Sequence, residues 1–207
     1  HGLIENKLRS RTLRDEADIY TVLPGDDIEV GAFSVTPYHV NHSIPNAIGM
    51  AIRTPVGLIV HSGDFKIDHT PLEGRTTDLG TLAKLASEGV MLLLSDSTNA
   101  ESPGYTASES QLIDTFHHVF ARAPGRIIVA TFASLISRLQ LVIETAAEVG
   151  RKVAVAGRSM EENTAIAERL GYVRFPGDIR VPLSEIGNYP DDEVVVLLEE
   201  LLIKLSY

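Results

Sequence analysis

The chain has 207 residues, 44% of them hydrophobic, enough to bury a substantial core as one large domain or two modest ones. A formal net charge of −10 argues against a broad electrostatic grip on nucleic acid, though it leaves room for a local basic groove. Cysteine is absent, which excludes disulfides and thiolate metal sites and leaves His, Asp and Glu as the strong ligands.

From Ile19 to Asp64 short runs of β-branched and apolar residues alternate with turn signals at Pro24-Gly25-Asp26, Gly31 and Pro55-Val56-Gly57, the pattern of a strand meander. After Pro71 the period becomes helical at Leu79, Leu82, Leu85 and Ala86, and Gly89 leads into an apolar strand over Val90 to Ser95. Beyond Asn99 helices are predicted over Ala107 to Arg122, Ser134 to Val149 and Met160 to Leu170, with buried strands over Arg126 to Ala130 and Lys152 to Val155 between them. Such alternation predicts βαβ units around a parallel sheet. Gly150 and Gly171 sit where helix C-caps belong, and Ser108 with Gln111 has the form of a capping box. The change of character near Ser95 to Gly104 marks the best domain boundary. No apolar run approaches the roughly 20 residues of a membrane span, so no membrane role is expected, and the lack of cysteine fits a cytoplasmic location.

Two positions carry the clearest chemical signals: His42, in Asn41-His42-Ser43-Ile44-Pro45, and Asp64, in His61-Ser62-Gly63-Asp64-Phe65-Lys66. Each lies where a strand meets a loop, so the scaffold can hold it rigidly yet leave it open to substrate. Imidazole and carboxylate suit zinc, and a carboxylate can bridge two metals. A lone histidine at a strand end is nonetheless more often structural than a ligand, and Gly-Asp is common turn chemistry. Residue types and spacing leave both readings open. Asp96 has two readings as well, a site acid or the start of an Asx-turn in Asp-Ser-Thr-Asn, and Ser134 could hold a phosphate or cap a helix. His39, His69, His117 and His118 match no ligand pattern, and His61 reads as a strand-end structural residue that could also brace Asp64.

Six ordered stretches carry a family resemblance: Gly2 to Leu8, Val40 to Pro45, Gly63 to Lys66, Leu94 to Asn99, Ala130 to Ser134 and Gly157 to Met160. Together they resemble ribonuclease J of the metallo-β-lactamase and β-CASP class, from about Gly2 to Val196. The resemblance implies an α/β fold: the C-terminal part of a metallo-β-lactamase αββα sandwich over 1–99, then a β-CASP parallel-sheet region over 100–207. It further implies a two-zinc centre with His42 on one metal and Asp64 bridging both, Asp64 and Asp96 as catalytic residues, and Ser134 and Arg138 as contacts to RNA phosphate. In that family a metal-activated water hydrolyses RNA, exonucleolytically from the 5′ end and endonucleolytically, and the longer protein is expected to be a homo-oligomer.

The resemblance also has gaps. The family's His-x-His-x-Asp-His run and its later His-containing motif are absent, and His42 with Asp64 cannot furnish two zinc sites, since a catalytic zinc takes about three protein ligands. The family's Asn and His after Phe-Ala-Ser are replaced by Leu135 and Ser137, while Arg138 is retained. From Leu197 to Tyr207 the chain departs from the family's Thr-Gly-Ser-Gln-Gly-Glu segment. With His1 rather than Met at its start, the sequence reads as a fragment, inactive by itself, with sheet edges and apolar faces left to associate. Its alternative role is a non-catalytic RNA-binding or subunit-association module. A small-molecule hydrolase is the third reading, disfavoured by the β-CASP-like half.

Overall fold

In the computed structural model, residues 4, 5, 8, 11 and 14–199 are described; most of the Gly2 to Leu8 stretch and residues 200–207 of the divergent tail lie outside them. The chain divides into two compact units, one of residues Asp15–Ser110 and one whose main described part is 111–199.

The first unit is a five-stranded sheet in the order β1-β2-β3-β4-β5, formed by β1 (Ile28–Val30), β2 (Phe33–His39), β3 (Ile48–Thr54), β4 (Gly57–His61) and β5 (Val90–Leu94). The first four strands form an antiparallel meander, and β5 returns parallel to β4 through helix α1 (Leu79–Glu88). In β3 and β4 alternate residues are buried, so Ala51, Leu58 and Val60 join Tyr38, Val40 and Leu85 in one small core. Gly49 admits the Tyr38 ring directly over its backbone, where any side chain would overlap the ring. The phenol hydroxyl then donates to the carbonyl of His61 at 3.0 Å, tying β2 to the end of β4. Asp78 caps α1, accepting from the Thr81 amide at 2.9 Å. β5 is the exception to the burial pattern. All five residues of Val90-Met91-Leu92-Leu93-Leu94 are exposed, Leu93 to 61%, although a continuous apolar run is the pattern of a strand covered on both faces.

The second unit has a three-stranded parallel sheet ordered β6-β8-β7, from β6 (Ile127–Thr131), β7 (Lys152–Ala156) and β8 (Val194–Glu199). Helix α2 (Gln111–Arg122) precedes β6, α3 (Ile136–Glu148) joins β6 to β7, and α4 (Arg158–Arg169) leads from β7 toward β8. Both crossovers return the chain parallel, as the helix and strand alternation predicts. The central strand β8 is buried from Val194 to Leu197, and Phe120, Ile136, Leu139, Ile143, Val153 and Met160 fill the core around it. Helix α2 begins at Gln111 rather than Ala107, after a turn in which the Ser108 hydroxyl accepts from the Ser110 amide at 3.2 Å.

Arg151 is 5% exposed and ties this unit together: its guanidinium donates to the carbonyls of Gly125 at 2.9 Å and Ala123 at 2.7 Å, just past the end of α2. A cation there satisfies carbonyls left over by the helix and complements its dipole. Arg151→Ala is expected to destabilise the chain by about 3 kcal/mol, because two charge-assisted bonds disappear and partly buried carbonyls lose their donors. The midpoint of urea denaturation followed by circular dichroism measures this, and an unchanged midpoint would remove Arg151 from the stability argument.

Candidate active site

Strands β2, β4 and β5 run in the same direction, so their carboxyl ends share one edge of the first sheet, and the loops leaving them carry His42, Asp64 and Asp96. Backbone pairing fixes the first two. Asn41 and Lys66 form an antiparallel bridge, with the Lys66 amide donating to the Asn41 carbonyl at 2.8 Å. Buried Thr77 clamps the same two segments: its hydroxyl accepts from the Asn41 amide at 2.9 Å and donates to the Lys66 carbonyl at 3.0 Å. His42 and Asp64 each lie next to this clamp.

The turn that presents Asp64 is built from its neighbours. Gly63 has φ +61°, and a methyl group there would overlap the carbonyl oxygen of Ile48. Its amide donates to Nδ1 of His61 at 2.9 Å, which makes His61 a brace for the loop and places the ring proton on Nε2. Buried Ser62 links this turn to the next loop. Its amide donates to the Leu94 carbonyl at 2.9 Å, and its hydroxyl donates to the Gly63 carbonyl at 2.6 Å while accepting from the Asp96 amide at 2.9 Å. The Asp96 carboxylate accepts from the Thr98 hydroxyl at 2.6 Å and the Thr98 amide at 2.9 Å, so the Asx-turn is present. Those two bonds hold the carboxyl below its ordinary range, with further help from the Phe65 amide and the nearby imidazole of His42. Asp96 is therefore both a turn residue and a neighbour of His42 and of the Asp64 loop.

A second cluster secures the loop beyond Asp64. Asp68 is 4% exposed, and its carboxylate accepts from the Thr70 amide at 3.0 Å and the Glu109 amide at 3.3 Å, with the Lys66 ammonium at 3.4 Å. Lys66 also donates to the Ala107 carbonyl at 2.7 Å, and Ser108 donates to the Thr70 carbonyl at 2.8 Å, so residues 66–70 hold residues 107–110. Burial pushes the Asp68 carboxyl up, but the Ser108 hydroxyl, the two amides and Lys66 outweigh it and leave the group below its usual range. The folded pKa is thus lower than the unfolded value of about 3.9. This contribution, about 1–3 kcal/mol, is complete above that value and is lost as pH falls through the folded pKa. Asp68→Asn should accordingly be less stable than the parent by a constant margin between pH 5 and 8, with the margin closing below about pH 4. Thermal unfolding across that range checks it, and a margin that persists in acid would refute it.

Ser134 and Arg138 belong to the second unit. Ser134 is half-buried in the turn between β6 and α3 and is not the helix cap, a position taken by Leu135 without any side-chain bond. Arg138 lies in the first turn of α3. Of the other histidines, His39 is buried with Nε2 3.4 Å from the Arg75 carbonyl, His117 faces Glu148 at 3.3 Å, and His118 lies 3.2 Å from Arg122. Sequence reasoning missed Thr77, Ser62 and Asp68. Ser62 sat inside a conspicuous stretch, whereas Thr77 acts across 36 positions from Asn41 and left no local signal.

A neutral imidazole beside carboxylates is suitable chemistry for a divalent metal. Among the described residues, however, no group of three or more His, Asp or Glu is arranged to hold one. Since a catalytic zinc takes about three protein ligands, these residues alone do not fit a metal centre. No helix of the described residues is long and apolar enough to cross a membrane.

Residues 124–199 match the family model "Ribonuclease J, beta-CASP domain". The chain is 46% identical over 198 residues to Ribonuclease J of Thermus thermophilus, and 42% identical over 197 residues to those of Synechocystis and Helicobacter pylori strain J99. Each alignment covers 95% of this chain but only 34%, 31% and 28% of the relative, so the chain spans about a third of their length. A crystal structure of a protein of unknown function from Enterococcus faecalis shares the fold, with a TM-score of 0.61 at 19% identity over 90% of this chain and 46% of that one.

Proposed function

We propose that this chain is part of a ribonuclease J-type protein carrying β-CASP sequence and supplies one wall of the active site of an RNA-hydrolysing enzyme. The observation that carries this reading is the delivery of His42, Asp64 and Asp96 to one sheet edge by backbone pairing and the Ser62 and Thr77 bonds, in a chain that aligns with ribonucleases J over 95% of its length. In this reading residues 1–99 are part of a metallo-β-lactamase core and 100–207 part of a β-CASP domain. In a protein of the relatives' length, joined by further ligands from outside this sequence, His42 and Asp64 would help to hold zinc, which would supply an activated water for attack on RNA. This chain's own contribution is positional: Gly63 and His61 set the Asp64 turn, Thr77 holds the His42 and Asp64 loops at a fixed separation, and Ser62 holds Asp96 against them. Ser134 and Arg138 are assigned to RNA phosphate, near the positive end of α3. The expected setting is cytoplasmic, as a homo-oligomer, with cleavage from the 5′ end and within the RNA.

A protein of the relatives' length that contains this sequence should degrade a labelled single-stranded RNA in the presence of zinc or manganese. RNA left intact would overturn the enzymatic reading. For the isolated chain the absence of a three-ligand group among the described residues favours a second role, non-hydrolytic RNA contact or subunit association. Stoichiometric zinc retained by the isolated chain through dialysis would contradict that role.

A further inference from the structure

His39, the last residue of β2, is 5% exposed, and its register partner on β3 is the apolar Ile48. Residues 75 and 78 bond to it: Nε2 stands 3.4 Å from the Arg75 carbonyl, and the Asp78 amide donates to the His39 carbonyl at 3.0 Å. A carbonyl only accepts, so the ring proton sits on Nε2. Nδ1 is then a bare lone pair, buried and without a hydrogen-bond partner among the described residues. The Arg75 carbonyl also accepts from Nδ2 of Asn41 at 3.5 Å. Two positions beyond Arg75 comes Thr77, whose hydroxyl joins the Asn41 and Lys66 segments. His39 thus holds, by its ring and by its backbone, the stretch that carries the clamp between the His42 and Asp64 loops.

We infer, on the reading of those loops as one wall of an active site, that His39 is a positioning residue: as a neutral ring it keeps residues 75–78 closed on Asn41, and a second proton on the ring releases them. The reason is what the added proton would meet. It would go to Nδ1, creating a buried N–H without an acceptor and a buried positive charge, and both are costly unless the segment moves away. The charged groups that face the ring are Arg75, Glu73 and Asp78. Burial acts most strongly and Arg75 adds to it, so that together they outweigh the Arg75 carbonyl and the two carboxylates and hold the imidazole below its ordinary range. With the segment open and the ring in water, the imidazole returns to a value of about 6.5. The closed segment is therefore fully favoured above about pH 6.5 and loses ground as pH falls through the lower pKa of the closed state.

Hydrogen exchange of the Asn41 and Lys66 amides in the 207-residue chain reads the clamp, since the first donates to Thr77 and the second to the Asn41 carbonyl. Corrected for intrinsic exchange, their protection should fall about tenfold between about pH 7.5 and pH 5. Protection of the Val153 amide, which donates to the Ile179 carbonyl in the second unit, should stay constant over the same range. His39→Gln keeps an N–H for the Arg75 carbonyl but does not titrate, and it should abolish the fall at Asn41 and Lys66. Other histidines stand on neighbouring loops, so this comparison assigns the proton to His39. Should His39→Gln fail to fold, the ring resonances of His39 in the parent decide: they should show the Nε2–H tautomer and a midpoint below that of the unfolded chain, tracking the loss of protection. Protection at Asn41 and Lys66 that does not change with pH, that falls equally in His39→Gln, or that falls while the His39 ring stays neutral would overturn the inference. No RNA or metal enters the measurement, so its failure leaves the ribonuclease reading untouched, and failure of that reading leaves the exchange result standing.

Discussion

Asp64→Asn, in a protein of the relatives' length, is expected to reduce the rate of RNA hydrolysis by roughly 10²–10⁴-fold, the range for loss of a positioned catalytic group. The residue is exposed at the tip of a turn whose shape is set by Gly63, His61 and Ser62. Its carboxylate is not what holds the loop, so the unfolding midpoint should stay within about 0.5 kcal/mol of the parent, as for a surface substitution. The split between a large activity loss and an unchanged stability is the informative result. A variant that keeps most of its activity would remove Asp64 from the site, and one that unfolds would recast it as structural.

Gly63→Ala, one position earlier, should behave in the opposite way. The residue sits at φ +61°, and its new methyl group would meet the Ile48 carbonyl of the neighbouring strand. Left-handed backbone at a non-glycine residue costs about 1–3 kcal/mol, and overlap with backbone adds to it because β3 cannot move without breaking its ladder with β2 and β4. We expect a destabilisation of about 2–4 kcal/mol and a fall of roughly 4–16 °C in the unfolding midpoint. Activity should fall with it, since the Ser62 and His61 bonds that shape the Asp64 turn depend on this backbone. A stable Gly63→Ala protein would show that the turn relaxes, and the rigid-scaffold account of the site would then fail.

These two neighbours illustrate how much of the site was legible beforehand. Asp64 was conspicuous as a carboxylate at a strand end within a recognisable stretch, and so was His42. The clamp that brings their loops together was not, because Thr77 lies in a polar loop with no periodicity or motif and acts on residues 36 and 11 positions away. Asp96 admitted two readings, of which the structure shows the Asx-turn with Thr98. Ser108 accepts from the Ser110 amide at 3.2 Å and also donates to the Thr70 carbonyl across 38 positions, with the helix starting only at Gln111, while α3 starts one residue later than a Ser134 cap would require. A serine hydroxyl can serve a local amide and a distant carbonyl at once, and only the folded chain shows which distant group it meets.

Periodicity alone determined a strand meander giving way to alternating helices and parallel strands, but it did not mark β8 as the central strand or foresee that Ile128 of β6 is exposed. Composition determined that any metal ligand would be His, Asp or Glu. The tertiary structure alone decided the strand order β6-β8-β7, the exposure of Val90 to Leu94, and the meeting of His39 with Arg75 and Asp78. The physical reason is common to all three. An apolar run specifies a need for cover without specifying what supplies it, and a polar side chain specifies its donors and acceptors without specifying which distant groups the backbone will carry to them.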